Sequence, residues 1–247
     1  MRVIVVKSIE EMGREAAAIV AEGMSAKPHY VLGLATGSTP IPLYREMIRL
    51  HKEEDLDFAT TLSFNLDEYI GISPTHDQSY RYFMDHELFN HVNIVKANTH
   101  VPDGMTQDVE THCMIYEATL EDVGGMDCQV LGIGRNGHIG FNEPGSSLAS
   151  RTRAVDLTDD TIAANARFFA SADEVPKRAI TMGIGTILES ERILVLATGA
   201  NKAAVVTAAL EGPVSVKCPA SGLQLHPDVT YVITEDAATG LTLKFRH

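Results

Sequence analysis

The run GIGRNGHIGFNE (132–143) carries one histidine and one terminal glutamate, His138 and Glu143, among small residues, with Asn136 beside them. Imidazole titrates near neutrality, and a nearby carboxylate can orient it and stabilise its charged form. That combination is what general acid-base chemistry on a hydroxyl requires. Glycines 132, 134, 137 and 140 thin the wall around the pair. Metal binding is a rival reading, but H-x4-E is not the H-E-x-x-H helix pattern, and no cysteine or second histidine stands nearby. A hydrogen-bonded loop histidine is the plainest alternative.

Three further stretches carry chemistry of their own. In FNLDEYIG (64–71), Asp67 and Glu68 directly follow an apolar run. A carboxylate there can act as a base, its pKa adjusted by partial burial, although an acidic turn or cap would look the same. In GLATGSTP (33–40), Gly37 lets the backbone approach a ligand. Ser38 and Thr39 place hydroxyls at the start of a helix whose free amides favour an anion. The loop lacks the G-K-[ST] of a Walker sequence and the G-x-G-x-x-G of a dinucleotide site, and a simple turn and cap uses the same residue types. In LATGANKA (196–203) a second glycine turn puts Lys202 within the first helical residues. There it is either a point-charge partner for phosphate or an ordinary surface lysine.

These four stretches all follow strand-like runs. Such runs occur at 2–6, 30–35, 61–66, 128–134, 179–185, 192–199 and 230–234, alternating with helical patterns. Ser8 and Glu11 form an S-x-x-E capping box ahead of Ile9, Met12, Ala16, Ile19 and Val20, and a second helix is expected from Ile41 to about His51. Alternation of this kind predicts an α/β fold, doubly wound, with a mostly parallel sheet and helices on both faces. In such folds ligands collect outside the carboxyl ends of the strands, where these residues fall. The stretch 71–101 reads as helical and histidine-rich. The polar, alanine-rich 155–178 segment lies between two core strands and is a candidate lid.

Composition narrows the classes. The 247 residues suit a single domain, with 45% apolar and 21% charged residues. A formal charge of −13 without a basic cluster disfavours nucleic acid. An anionic small substrate would therefore need local donors. No apolar run is long enough to span a membrane or to serve as a secretory signal, which points to the cytoplasm. Cys113, Cys128 and Cys218 are scattered and odd in number, so reduced thiols are expected.

Over essentially its whole length the chain resembles the glucosamine-6-phosphate deaminases, also called glucosamine-6-phosphate isomerases. The resemblance is carried by LGLATGSTP, FNLDEY, SYRYFM, LGIGRNGHIGFNEPGSSLASRTR, NARFF, VPKRAITMGIGTIL, TGANKA and LQLHP. It implies a Rossmann-like fold and conversion of glucosamine 6-phosphate and water into fructose 6-phosphate and ammonia, with no organic cofactor or metal. By matching motif, Asp67 becomes the base for enolisation, and His138 the ring-opening group assisted by Glu143 and Asn136. Substrate and phosphate contacts fall on Thr36, Gly37, Ser38, Thr39, Gly137, Arg167 and Lys202, with Arg167 in the 155–178 lid. The implied partner is a small sugar phosphate, with a homo-oligomer left open.

The chain departs from longer members of that family, which carry aspartate where it has Asn136, so support for His138 must come mainly from Glu143. Val155 stands where a lysine is expected, and the sequence stops at His247. Both features argue against activation by N-acetylglucosamine 6-phosphate, although Arg153, Ser146 and Ser147 remain. Two competing readings are a 6-phosphogluconolactonase, which shares a glycine-histidine loop, and a sugar-phosphate sensor domain. The joint presence of Asp67, His138 and Glu143 favours the deaminase.

Overall fold

The structure is a computed structural model and describes residues 1–158, 161–163, 169 and 174–242. Among these, β1 (Arg2–Val6), β2 (Val31–Leu34), β3 (Leu62–Asn65), β5 (Thr99–His100), β6 (Cys128–Gly132), β9 (Arg192–Ala197) and β10 (Val229–Thr234) form one parallel sheet. Their spatial order is β1-β10-β9-β6-β2-β3-β5. Strand side chains alternate between faces, so each central strand feeds two cores. Ile193, Val195 and Ala197 of β9 join one core, while Leu194 and Leu196 join the other. Helices α1 (Ile9–Ala26) and α2 (Ile41–Glu53) close the second core with Met12, Ala16, Val20, Leu43, Tyr44 and Met47. Tyr116 and Leu120 of α4 (Val109–Asp122) close the first, together with Val206 and Ala209 of α6 (Ala203–Glu211). The doubly wound arrangement expected from the alternating pattern is therefore present.

The winding changes direction at β2. From β2 the chain proceeds outward through β3 to β5, and β6 then returns to the opposite side of β2. Loops leaving β2 and β6 diverge, which opens a crevice at their carboxyl ends.

Three short strands do not join this sheet. β4 (Asp67–Tyr69), β8 (Arg178–Thr181) and β7 (Arg153–Asp156) form a separate antiparallel sheet in that order. Only Leu66 separates β3 from β4, and it is pinned on both sides: its amide donates to the Leu34 carbonyl, and its carbonyl accepts from the Met182 amide. The 179–185 run, read from sequence as a core strand, thus belongs to the small sheet as far as Thr181. It then turns into α5 (Ile184–Leu188). Hydrophobicity alone cannot say which sheet a buried strand joins.

The 71–101 stretch is mostly not helical. Only α3 (Tyr80–Met84) and its continuation in wider π turns through Phe89 are substantial helix, with a 3-10 turn at Lys96–Asn98 before β5. Ser79 starts that helix, its hydroxyl accepting from the Tyr82 amide. The box ahead of α1 forms in half: Ser8 accepts from the Glu11 amide, but Glu11 reaches back to the Lys7 amide. Of the 155–178 segment, Val155 and Asp156 lie in β7, and much of the remainder falls outside the described residues.

Candidate active site

Four adjacent strand ends, those of β3, β2, β6 and β9, open onto one cleft of about 230 Å³. Thr36, Gly37, Ser38, Thr39, Asp67, His138 and Lys202 all line it. Residues far apart in sequence thus converge because β2, β6 and β9 are direct neighbours and β3 lies just beyond β2. Asn136, Gly137 and Glu143 stand behind the lining, and Arg167 lies outside the described residues.

The loop after β6 is built to present His138. The imidazole lies directly over the backbone of Gly134, where a β-carbon would come within 2.3 Å of its ring atoms, so no larger residue fits. The Gly134 amide donates to the His138 carbonyl at 2.9 Å, closing the turn. Behind the ring, Nδ1 stands 3.0 Å from Glu143 Oε1, at hydrogen-bond distance although outside good hydrogen-bond alignment. Asn136 Nδ2 donates to Glu143 Oε2 at 2.6 Å, and Asn136 Oδ1 accepts from the His138 amide at 3.2 Å. The His138 contact, more than the Asn136 bond, holds the Glu143 pKa below its ordinary value. Glu143 is thus a ready anion behind the imidazole, as imidazolium support requires. Gly137, with φ of +88°, turns the loop, and its carbonyl accepts from the Ala220 amide.

Asn142 pins the far end of this loop, a role not visible in the sequence pattern. Its fully buried side chain donates to the carbonyls of Ile139 and Met182, while its oxygen accepts from Arg153. The neighbouring Phe141 amide donates to Thr181 Oγ1. The loop is in this way tied to the small sheet that carries Asp67, and a β-carbon on Gly140 would lie 3.4 Å from Asp67 Oδ2.

Asp67 occupies the opposite electrostatic setting. It is only 6% exposed, and among the described residues its carboxylate has no hydrogen-bond or ion-pair partner. Burial, reinforced by the adjacent Glu68, pushes its carboxyl up to about 8. Glu68 projects to the other face of β4, where Oε1 accepts from the Tyr69 and Tyr80 amides and Oε2 from the Arg81 amide. Burial lifts Glu68 to about 7 against the pull of those amides.

The Thr36–Thr39 loop, which also lines the cleft, leads through Pro40 into α2. Lys202 is held beside the loop after β6, its Nζ donating to the Ile133 carbonyl at 2.5 Å. Burial lowers its pKa, with a smaller contribution from Arg135. A polar, cationic corner therefore faces a buried carboxylate and a supported imidazole. Sequence reasoning missed Tyr80 and Phe141, whose nearly parallel rings form one wall of the cleft with centroids 6.1 Å apart. Their only sequence signal was their place inside stretches that carried the resemblance. Among the described residues, no group of three or more His, Cys, Asp or Glu side chains is arranged to hold a metal ion.

Fold and site together define an α/β enzyme whose cleft brings a Thr/Ser loop and a lysine together with a buried carboxylate and an imidazole. The family described as glucosamine-6-phosphate isomerases/6-phosphogluconolactonase matches residues 6–232. A glucosamine-6-phosphate deaminase of Clostridium perfringens is 53% identical over 238 residues, covering 96% of this chain and 98% of the relative. One of Thermoanaerobacter pseudethanolicus is 52% identical, covering 97% and 94%. The solved structure of a monomeric glucosamine-6-phosphate deaminase superposes with a TM-score of 0.95 at 48% identity, covering 98% of this chain and all of that one. A 6-phosphogluconolactonase of Trypanosoma brucei shares the fold at a TM-score of 0.78 but only 19% identity, covering 98% of each. The chain belongs to the glucosamine-6-phosphate isomerase/6-phosphogluconolactonase family, and within it to the glucosamine-6-phosphate deaminases.

Proposed function

We propose that this enzyme converts glucosamine 6-phosphate and water into fructose 6-phosphate and ammonia, using His138 to open the ring and Asp67 to move hydrogen between carbons. One observation carries the division of labour: Asp67 and His138 line the same cleft as the Thr36–Thr39 loop and Lys202. With the phosphate held by Thr36, Gly37, Ser38, Thr39 and Lys202, the sugar carbons lie between the two groups. Anchoring of this kind turns an encounter into a local reaction.

In the closed sugar, His138 takes the proton of the anomeric hydroxyl and returns one to the ring oxygen, giving the open aldehyde. Imidazolium forms on the way, and Glu143 balances its charge while Asn136 holds Glu143. In the open chain, the C1 carbonyl and the C2 nitrogen acidify the C2 hydrogen. Asp67 removes it, leaving an enolamine, and redelivers it to C1. The resulting C2 imine takes up water and releases ammonia, leaving the ketose. A carboxylate with a raised pKa is a stronger base than a solvated one, and a substrate ammonium nearby favours its ionised form. Each such acid-base step is worth about 10²–10⁴-fold.

The 155–178 segment, with Arg167 as a further phosphate contact, serves as the lid in this reading, while Gly137, implied by the resemblance as a substrate contact, turns the loop beside Cys218. Supporting the lid, Thr161 Oγ1 donates to Glu143 at 3.4 Å, and the Phe169 ring meets Tyr69 edge-on at 6.4 Å. With three free cysteines, the enzyme is assigned to the cytoplasm. The decisive experiment measures ammonia release from purified protein given glucosamine 6-phosphate, with 6-phosphogluconolactone hydrolysis alongside. Ammonia is expected from the first and negligible turnover of the second; the reverse pattern would replace this reading with the lactonase one.

A further inference from the structure

Asp67 and Glu68 are adjacent and both buried, yet the reaction as outlined uses only one. Successive residues of a strand face opposite sides, so Asp67 faces the cleft while Glu68 faces the start of α3. A helix start does not by itself explain a buried carboxylate there. Ser79 already caps α3, and a neutral acceptor could serve the remaining amides without placing a second charge beside Asp67. Glu68 nevertheless accepts three backbone amide bonds, one at its own strand and two at α3, at 2.9, 3.0 and 3.0 Å. It therefore ties the strand that carries Asp67 to the helix that carries Tyr80, and both of those side chains line the cleft. Tyr80 is further fixed by stacking on Phe141 and by its hydroxyl donating to Tyr69 Oη at 3.2 Å.

We propose that Glu68 is a positioning residue for the deamination, clamping β4 to α3 so that Asp67 and Tyr80 are held together against the C1 and C2 carbons of the substrate. The inference rests on the function proposed above. Glu68 does not line the cleft and acts through Asp67 and Tyr80, which do. Its charge has a second effect, since a like charge next to Asp67 keeps that carboxylate a stronger base. Tyr80 and Arg81 on α3 face Glu68, and Asp67 and Tyr69 flank it on its own strand; β8 brings Ile180 opposite it, and the loop at Gly104 packs on its stem.

The test compares Glu68→Ala and Glu68→Gln in the full chain with the wild type. It measures ammonia release against pH and, separately, binding of fructose 6-phosphate by calorimetry. Glu68→Ala should lower kcat tenfold or more and leave product affinity within about twofold, because the Glu68 hydrogen bonds run to the Tyr69, Tyr80 and Arg81 amides and not to the Thr36–Thr39 loop or Lys202. Glu68→Gln keeps one oxygen for the Tyr69 and Tyr80 amides and should recover most of that loss. In both variants the acidic limb of kcat/KM should move to lower pH, because the like charge is gone. Equal losses in the two variants, an unmoved limb, or a fall in melting temperature with unchanged kcat would overturn the proposal. If the alanine variant does not fold, the limb and kcat of the glutamine variant decide alone. Absence of ammonia release from the wild type would instead remove the deaminase reading itself, and so separates the two failures.

Discussion

The surroundings of His138 and of Asp67 treat charge in opposite ways. Around His138 the partners are in place beforehand: Glu143 behind the ring, Asn136 behind Glu143, and the Gly134 backbone beneath. Around Asp67 they are withheld, and the carboxylate sits buried beside another carboxylate. The same functional group is consequently tuned in two directions around one site, with Glu143 below its ordinary pKa and Asp67 far above it. Each setting suits the task proposed for it. A group that must remain an anion to balance imidazolium needs donors, whereas a group that must take a proton from carbon needs none until substrate arrives.

That contrast can be broken most severely at Asp67. Asp67→Asn should reduce kcat by about 10²–10⁴-fold while the affinity for fructose 6-phosphate, measured by calorimetry, stays close to wild type. Loss of affinity in proportion would mean that Asp67 binds the sugar and does not move its hydrogen. At the anchored end, Lys202→Ala should raise KM by roughly 10–100-fold with a much smaller change in kcat, since the phosphate contact persists through the reaction. An unchanged KM would take Lys202 out of the site.

The supported side should give smaller effects. Glu143→Gln should lower kcat/KM by about tenfold, because the imidazolium loses its counter-charge but keeps its place over Gly134. Full activity in that variant would show that the 3.0 Å contact contributes nothing. Asn136→Asp should be milder, on the order of a few-fold, because the aspartate oxygen can still accept from the His138 amide while the donation to Glu143 becomes like-charge repulsion.

Stability offers a test without substrate. Because the folded pKa of Asp67 is raised to about 8 from an ordinary 3.8, the folded chain binds the proton more tightly than the unfolded one. The contribution is fully present below the unfolded value and is lost as pH rises through the folded one. Asp67→Asn should therefore gain stability relative to wild type above pH 8, on the order of a few kcal/mol, with the gain shrinking toward pH 4. Parallel denaturation curves at both pH values would show that Asp67 carries no buried-charge cost.

Most of the parallel sheet could be read from the chain because its strands are nearly continuous apolar runs with turn chemistry at their ends, as in VLGLATGSTP and LVLATGANK. The small antiparallel sheet could not. Its strand Asp67–Tyr69 reads as an acidic turn, and Arg153–Asp156 has no apolar pattern, because partners rather than composition make them strands. Likewise Tyr80, Phe141 and Asn142 carry no local signal, since each acquires its role only by what packs against it.

Sequence by itself determined which residues could do chemistry: glycine turns after strands, a histidine among small neighbours, and a lysine at a helix start are local facts of residue type and spacing. Tertiary structure decided which of them meet and in what state of charge. Neighbouring strands bring Asp67, His138 and Lys202 to one cleft, and burial depends on atoms distant in the chain. Only the folded surroundings can hold one carboxylate below its ordinary pKa and push another above it.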